Sequence, residues 1–309
     1  MSARSNERIA YFNGRFVPES EVLVPFRDRS FIYGDGAFDL TRTFGHRLFK
    51  LREHVDRLYR SLRYLRIDPG MGPEEMCRIT EEVFERNRHL LGADDDYWVG
   101  QRISRGVKQI EGDNWDHYGT TVICECMPLP FKERAAYYRD GIRVVVPSVR
   151  RTPPQSLTPR AKTHNYLNLL VAEHEVHSQD PGAWAVLLDT DGNLSEGLGS
   201  NIFVVRDGVI LTPHERMVLP GVSRQTAIDL AREQGLEVRE ADIDLYDAYN
   251  AEEIFITSTS FCICPVVTMN GVHIGEEGQV YGPITKKLID AYVRFVDHDF
   301  VAQYLRRLG

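Results

Sequence analysis

The sequence predicts an α/β protein of two domains, each mixing strands and helices, and three stretches carry that expectation. Residues 9–16, IAYFNGRF, are two short apolar runs joined by Asn13-Gly14, a strong hairpin signal. Residues 53–65, EHVDRLYRSLRYL, set Val55, Leu58, Tyr59, Leu62 and Leu65 at helical spacing, which makes one apolar stripe. Beyond a proline-bearing connection, residues 142–146 form a β-branched run typical of a buried strand.

Taken in order, the opening hairpin is followed by RDRSFIYGDGAFDLTRTFGHRLFKL, where aromatic and β-branched residues flank Gly34 and Gly36. Glycines at alternate positions imply backbone drawn close to another strand or to a ligand. A second hairpin turns at Gly45-His46 and feeds the 53–65 helix, on which Arg57, Arg60 and Arg63 lie off the apolar stripe and, taken alone, form a solvated face. Asp68-Pro69-Gly70 ends that helix, and Gly72-Pro73 opens another that runs to about His89. Strands follow at 97–104 and 120–127, separated by a polar loop with three glycines, long enough to serve as a lid or a dimer contact. Pro128 and Pro130 mark an interdomain connection, which gives a smaller domain over 1–126, a linker over 127–137 and a larger domain over 138–309.

In the second half a proline-rich loop, RRTPPQSLTPR, delivers Lys162 to the entry of a helix that spans about 166–177. Hairpins turn at Asp191-Gly192 and Asp207-Gly208. The segment LPGVSR, 219–224, leads into a helix ended by Gly235, and its entry either caps the helix or binds an anion with free amides at the positive end of the dipole. Residues 253–267 read as a strand with a hydroxyl-rich patch of Thr257, Ser258, Thr259 and Ser260, and a last helix covers about 283–300.

Composition narrows the function. The 309 residues are 42% hydrophobic and 27% charged, enough for a full core, and a net charge of -8 offers no positive field for nucleic acid. No apolar run reaches the roughly 18 residues of a membrane span, so a cytoplasmic protein is expected. The five cysteines include Cys124/Cys126 and Cys262/Cys264, whose spacing on a strand points each pair to one face as buried thiols. Neither a disulfide nor a metal site is expected.

Either Lys162 or Glu196 alone would be an ordinary solvated side chain, since both residue types are mostly exposed. Together with a helix-entry anion site, a hydroxyl patch and an arginine-bearing helix they make a larger set. Pyridoxal 5′-phosphate requires that set: a lysine for the imine, a carboxylate that keeps the ring nitrogen protonated, and donors for the phosphate.

The motifs YGDGAFD, EHVDRL, KTHNYL, LSEGLGSNIF, LPGVSR and FITSTS, in this order and spread over nearly the whole chain, resemble those of the class IV aminotransferases. These are the fold-type IV pyridoxal-phosphate enzymes, which include branched-chain and D-amino-acid aminotransferases, (R)-selective amine transaminases and aminodeoxychorismate lyase. The resemblance implies two α/β domains with the cofactor in the cleft between them, in a homodimer whose partner loop helps close each pocket. It makes Lys162 the imine lysine, Glu196 the ring-nitrogen partner and Arg57 the phosphate clamp, against the solvated-face reading of that arginine. Tyr166 would bond the phenolic oxygen of the cofactor, Val222 and Ser223 would supply helix-entry amides to the phosphate, and Thr259 would bind it as well. Tyr33, Phe38 and Arg42 fall where branched-chain enzymes line the substrate pocket.

Two departures bear on the substrate. Branched-chain enzymes usually carry Gly-Thr-Ala where this chain has Ser258-Thr259-Ser260, at the place where the substrate carboxylate meets backbone amides, and a glutamate where it has Asp39. ISRG at 103–106 is similar to the D-amino-acid enzymes instead, which makes Arg105 a candidate carboxylate clamp beside Arg42, Arg102 and the Ser260 turn. The expected function is a pyridoxal-phosphate aminotransferase with an amino-acid donor of branched-chain type and a keto-acid acceptor such as 2-oxoglutarate or pyruvate. Alternatives are a D-amino-acid or (R)-amine transaminase, a lyase of the same fold, and a cofactor-binding sensor without turnover.

Overall fold

A computed structural model describes residues 8–115 and 118–308, and the chain divides into two compact units. One runs up to Leu129 and takes in Ala161–Asn165; the other comprises Pro130–Arg160 and the chain from Tyr166 onward. Lys162 therefore groups with the first unit, not with the C-terminal half to which the sequence reading assigned it.

The first unit is built on strands β1 (Ile9–Phe12), β2 (Arg15–Pro18), β3 (Gly36–Phe44), β4 (Arg47–Leu48), β5 (Tyr97–Val107) and β6 (Gly119–Pro128), in the order β2-β1-β6-β5-β3-β4 with every pair antiparallel. Both expected hairpins are present. Asn13 and Gly14 have φ 47 and 93, and Gly45 and His46 have φ 53 and 63, the positive values that let a two-residue turn follow the strand twist. A short helix, α1 (Arg29–Tyr33), is followed by α2 (Leu51–Leu65) and α3 (Pro73–Asn87), which cover the sheet. Val55, Leu58 and Leu62 of α2 and Met76, Ile79 and Val83 of α3 form one core with Val99, Ile103, Cys124 and Cys126. Each such aliphatic side chain contributes roughly 1.5–3 kcal/mol by leaving water. Cys124 and Cys126 share the core face as expected, and burial pushes both thiols up to about 12.

The segment read as a connection over 127–137 differs in the structure: β6 continues to Pro128 and a helix, α4 (Phe131–Asp140), begins three residues later. Phe131, Ala135 and Tyr138 are its buried residues, at a helical interval that the two prolines obscured. The second unit then holds β7 (Ile142–Val145), α5 (Leu167–Gln179), β8 (Trp184–Ala185), β9 (Asn201–Arg206), β10 (Val209–Thr212), α6 (Val222–Glu233) and β11 (Val238–Glu240). After them come α7 (Leu245–Tyr249), β12 (Glu253–Ser258), β13 (Cys262–Met269), β14 (Val272–His273), α8 (Pro283–Val296) and α9 (Phe300–Leu305). The sheet order is β11-β10-β9-β12-β13-β7-β8, with β14 on β13; β7 runs parallel to both its neighbours, and so does β10 to β11.

Two expectations in this unit are revised. The apolar run at 253–267 is two strands around a turn, because the chain reverses at 259–261. The single last helix is broken at Asp297, which has φ 51 and so ends α8 in the left-handed conformation typical of a helix stop. Among the described residues no helix is long and apolar enough to cross a membrane.

Candidate active site

In the first unit the edge of β3 left open by the shortness of β4 is filled by residues 162–164. Ala37 bridges Thr163, the Phe38 N–H donates to Lys162 O at 3.0 Å, and the His164 N–H donates to Gly36 O at 2.8 Å. A side chain at Gly36 would meet His164 Nδ1 at 2.5 Å and Ile103 O of β5 at 2.7 Å, so pairing on both sides requires the glycine that the sequence offers. Lys162 does not enter a helix; it sits on this extended piece, five residues ahead of α5. Its N–H donates to Ser61 Oγ at 3.0 Å, and its Nζ lies 4.6 Å from the Phe38 ring centroid.

The face of α2 toward β3 explains where Ser61 comes from. His54, Arg57 and Ser61 lie at helical spacing and are at most 3% exposed, so a polar stripe runs beside the apolar one. Asp39 of β3, fully buried, receives Arg57 Nε at 2.8 Å and Nη2 at 2.7 Å, while its Oδ1 is 2.7 Å from His54 Nδ1. Burial opposes a charge on Asp39, yet the Arg57 guanidinium and His54 overcome that and hold its carboxyl well below the usual range. Burial lowers the pKa of His54, and Asp39 only partly restores it. Arg57 is thus no solvated surface residue; its planar fork is held in one orientation by a carboxylate.

The substrate-pocket candidates of this unit are arranged unevenly. Tyr33 ends α1 and is exposed, with Arg29 5.4 Å over its ring. Phe38 is half-buried and gathers Lys162, His164 at 5.7 Å and the Arg102 guanidinium at 5.5 Å. Arg102 also donates to Glu125 at 2.6 Å. Arg42 has no exposed surface: its Nε donates to Thr43 O, and its guanidinium lies 4.1 Å over Phe44. Arg105 is committed to Asp35 through two nitrogens and to the last carbonyls of α2, Leu65 O at 2.7 Å and Arg66 O at 3.0 Å. A cation at that helix end is favourable on its own account, so neither Arg42 nor Arg105 presents a free fork to a carboxylate.

In the second unit Glu196 is 4% exposed and held from two sides, accepting from Arg151 Nε at 2.9 Å and from the Leu219 N–H at 2.8 Å. Glu196 bridges Asn201, Asn201 pairs with Thr257 across β9 and β12, and Asn201 Nδ2 donates to Leu219 O at 3.0 Å. Glu196, the entry to α6 and the end of β12 are therefore tied together through one asparagine. Gly221 is required there, because a side chain in its place would strike Asn201 Oδ1. Val222 and Ser223 form the first turn of α6, and the preceding Gly221 offers no side-chain cap, so the first amides are left to another acceptor. Buried hydroxyls of Ser200 and Thr257 have no hydrogen-bond partner. Thr259 is half-buried in the turn after β12, Ser260 is 2% exposed, and Tyr166 caps α5 beside Leu169 and Ala172.

A phosphorylated pyridine fits these groups: an uncapped helix entry for the phosphate, a fixed carboxylate for a ring nitrogen, and orphaned hydroxyls that cost stability until a ligand meets them. Sequence reasoning missed Asp39 as the holder of Arg57, and missed Asn201 and Arg151. Only Asp39 left a signal, as an acid between two apolar residues, Phe38 and Leu40, of a strand.

A family model described as amino-transferase class IV matches residues 36–269. A protein of Methanocaldococcus jannaschii, provisionally named a branched-chain-amino-acid aminotransferase, is 38% identical over 283 residues, which cover 91% of this chain and 94% of the relative. The crystal structure of the Escherichia coli branched-chain amino acid aminotransferase aligns with a TM-score of 0.85 at 29% identity, covering 94% of this chain and 95% of that one. A second branched-chain amino acid aminotransferase, from T.th. and complexed with N-(5′-phosphopyridoxyl)-L-glutamate, aligns with a TM-score of 0.81 at 28% identity over 94% of each chain.

Proposed function

The chain belongs to the class IV aminotransferases, and from that membership we propose that it transfers the amino group of a branched-chain L-amino acid to a 2-keto acid such as 2-oxoglutarate. It is a transaminase, and the enzymes of its family work with pyridoxal 5′-phosphate. The observation that carries the reading is the seating of Lys162: its backbone is bonded on both sides and its Nζ is aimed over Phe38, whereas a solvated lysine would be tethered by neither. The substrate class and the L-configuration rest on the relatives, one of which holds a phosphopyridoxyl-L-glutamate.

When bound, pyridoxal phosphate supplies an electron sink that lets the α-proton of an amino acid leave. Lys162 would hold the cofactor by its aldehyde and, once released, its Nζ would take the α-proton and return it to the neighbouring carbon. Glu196, fixed by Arg151 and Leu219, would keep a proton on the ring nitrogen. Phosphate would be bound by Arg57, by the amides of Val222 and Ser223 and by Thr259, while Tyr166 would bond the phenolic oxygen. Of the three arginines weighed for the substrate carboxylate, Arg102 is retained, because Arg42 is sealed and the fork of Arg105 is taken. The reading includes a homodimer, supported by Leu23, Phe26, Phe31 and Tyr33, which are each more than half exposed within one stretch of the first unit.

A half-reaction tests this. Purified protein carrying the cofactor is mixed with single enantiomers of leucine, alanine and 1-phenylethylamine, and the cofactor absorption is followed. L-leucine should convert it, and Lys162→Ala should remove both the conversion and the absorption trapped by borohydride. Conversion by D-alanine or the (R)-amine alone would overturn the substrate assignment.

A further inference from the structure

The turn joining β12 to β13 is held by side chains from helices far away in sequence. Ser258 pairs with Cys262, which leaves Thr259, Ser260 and Phe261 as a three-residue connection. Cys262, fully buried, has φ 61, the left-handed conformation that glycine ordinarily supplies in such a connection. A non-glycine residue persists there when its surroundings fix the backbone. Those surroundings are specific: Tyr304 of α9 donates to Ser260 O at 2.9 Å, and Tyr138 of α4 donates to Phe261 O. Arg134 of α4 donates to Ser260 Oγ, which is also 3.0 Å from Ser258 Oγ. The Tyr138 and Tyr304 rings lie 5.2 Å apart, and Trp184 packs edge-on against Phe261 at 5.2 Å. Holding two carbonyls fixes two whole planar peptides, and with them the direction of the turn.

We infer that Arg134, Tyr138 and Tyr304 are positioning residues for anion recognition at this turn. From the helix side they set the hydroxyls and amides of Ser258, Thr259 and Ser260 for an oxyanion, either the substrate carboxylate or the cofactor phosphate. The inference rests on the transaminase reading, under which this turn meets bound substrate or cofactor. Ser260 stands where the family pattern has alanine, and its hydroxyl is what engages Arg134; an alanine could not.

Tyr304→Phe removes one hydroxyl and keeps the ring, and it is tested on the holoenzyme beside Ser260→Ala. Binding of 4-methylvalerate is compared with that of its uncharged amide, and retention of pyridoxal phosphate with that of pyridoxal. In Tyr304→Phe one charged member should weaken about tenfold, the size of one misplaced hydrogen bond. Its uncharged counterpart should hold, kcat with L-leucine should stay within about twofold on cofactor-saturated enzyme, and KM should rise where the weakened member is 4-methylvalerate. Loss confined to 4-methylvalerate assigns the turn to the carboxylate, and loss confined to pyridoxal phosphate assigns it to the phosphate. Equal weakening of charged and uncharged members, or no change in either, overturns the inference. Hydrogen exchange of the 258–262 amides, measured without substrate, should quicken in Tyr304→Phe, and unchanged exchange would also overturn it. Because that readout needs no turnover, a wild type that fails with L-leucine would count against the function and leave the clamp to be judged separately. If Tyr304→Phe does not fold, Tyr138→Phe carries the same comparison through the loss of the bond to Phe261 O.

Discussion

In the first unit a carboxylate, an imidazole and a guanidinium, all but sealed from water, satisfy one another. In the second a carboxylate of similar burial is held from two sides, while the neighbouring hydroxyls of Ser200 and Thr257 have no partner. The contrast separates two ways of preparing a site. Asp39, His54 and Arg57 make a closed set whose geometry exists before anything binds. The end of β12 and the entry to α6 are an open set, where each unmet hydroxyl costs roughly 1–3 kcal/mol until a ligand supplies its partner. The network that joins α2 to β3 is thus pre-organised, whereas the hydroxyls of Ser200 and Thr257 keep hydrogen-bonding capacity unmet.

Substitutions can break this contrast, and the largest effect belongs to the closed set. Asp39→Asn strands the buried Arg57 charge and should cost roughly 3–5 kcal/mol in denaturant unfolding. A loss below about 1 kcal/mol would mean that the network does not hold α2 to β3. Glu196→Gln keeps the shape but not the charge, so kcat/KM should fall by the equivalent of about 2–4 kcal/mol with the cofactor retained. An unchanged rate would place the ring-nitrogen role elsewhere.

The next effect is one of pH. Burial, with Arg102 beside it, lowers His164 from its ordinary 6.5 to about 4, so between those values the unfolded chain binds a proton that the folded chain refuses. Stability should be complete above pH 6.5 and fall by at most about 3 kcal/mol on the way to pH 4. Unfolding of His164→Leu should show a shallower slope over that window, and an identical slope would acquit the histidine. Lowered values at His54 and Asp39 act in the same direction, Asp39 at more acidic pH. The smallest effect belongs to the open set: Thr257→Val removes a buried hydroxyl that has no partner, so the stability of the unliganded protein should rise by about 1 kcal/mol, the low end of that cost, while cofactor retention weakens. If it destabilised the protein as much as Asp39→Asn, the contrast between the units would fail.

Much of the fold could be read locally, and what could be read shares a cause. The hairpins at Asn13-Gly14, Gly45-His46 and Asp207-Gly208 turn on residues with positive φ, a property of two adjacent side chains and nothing else. Helices α2 and α3 declare themselves by a stripe. By contrast, α4 buries only three side chains and follows two prolines, so its pattern was too thin to outweigh them. The burial of Arg57 was not legible because its partner lies eighteen positions upstream on another element, and the reading of Arg57, Arg60 and Arg63 as one face treated alike three arginines of different surroundings. Lys162 and Glu196 were singled out by their motifs. Their environments, an edge of β3 and a hub at Asn201, depend on strand pairing that no local pattern encodes.

The backbone of residues 162–164 completing the edge of β3 also governs how the chain can be made and divided. More than a hundred residues separate Gly36 from His164, so during synthesis that edge waits until Pro130–Arg160 of the second unit has also been made. A fragment ending at Leu129 would present Gly36–Phe38 as raw strand edge, open to pairing with another chain. The two units are consequently not modules that could be cut, swapped or expressed apart at a single point, because the peptide that carries the lysine stitches the first together from both sides of the boundary.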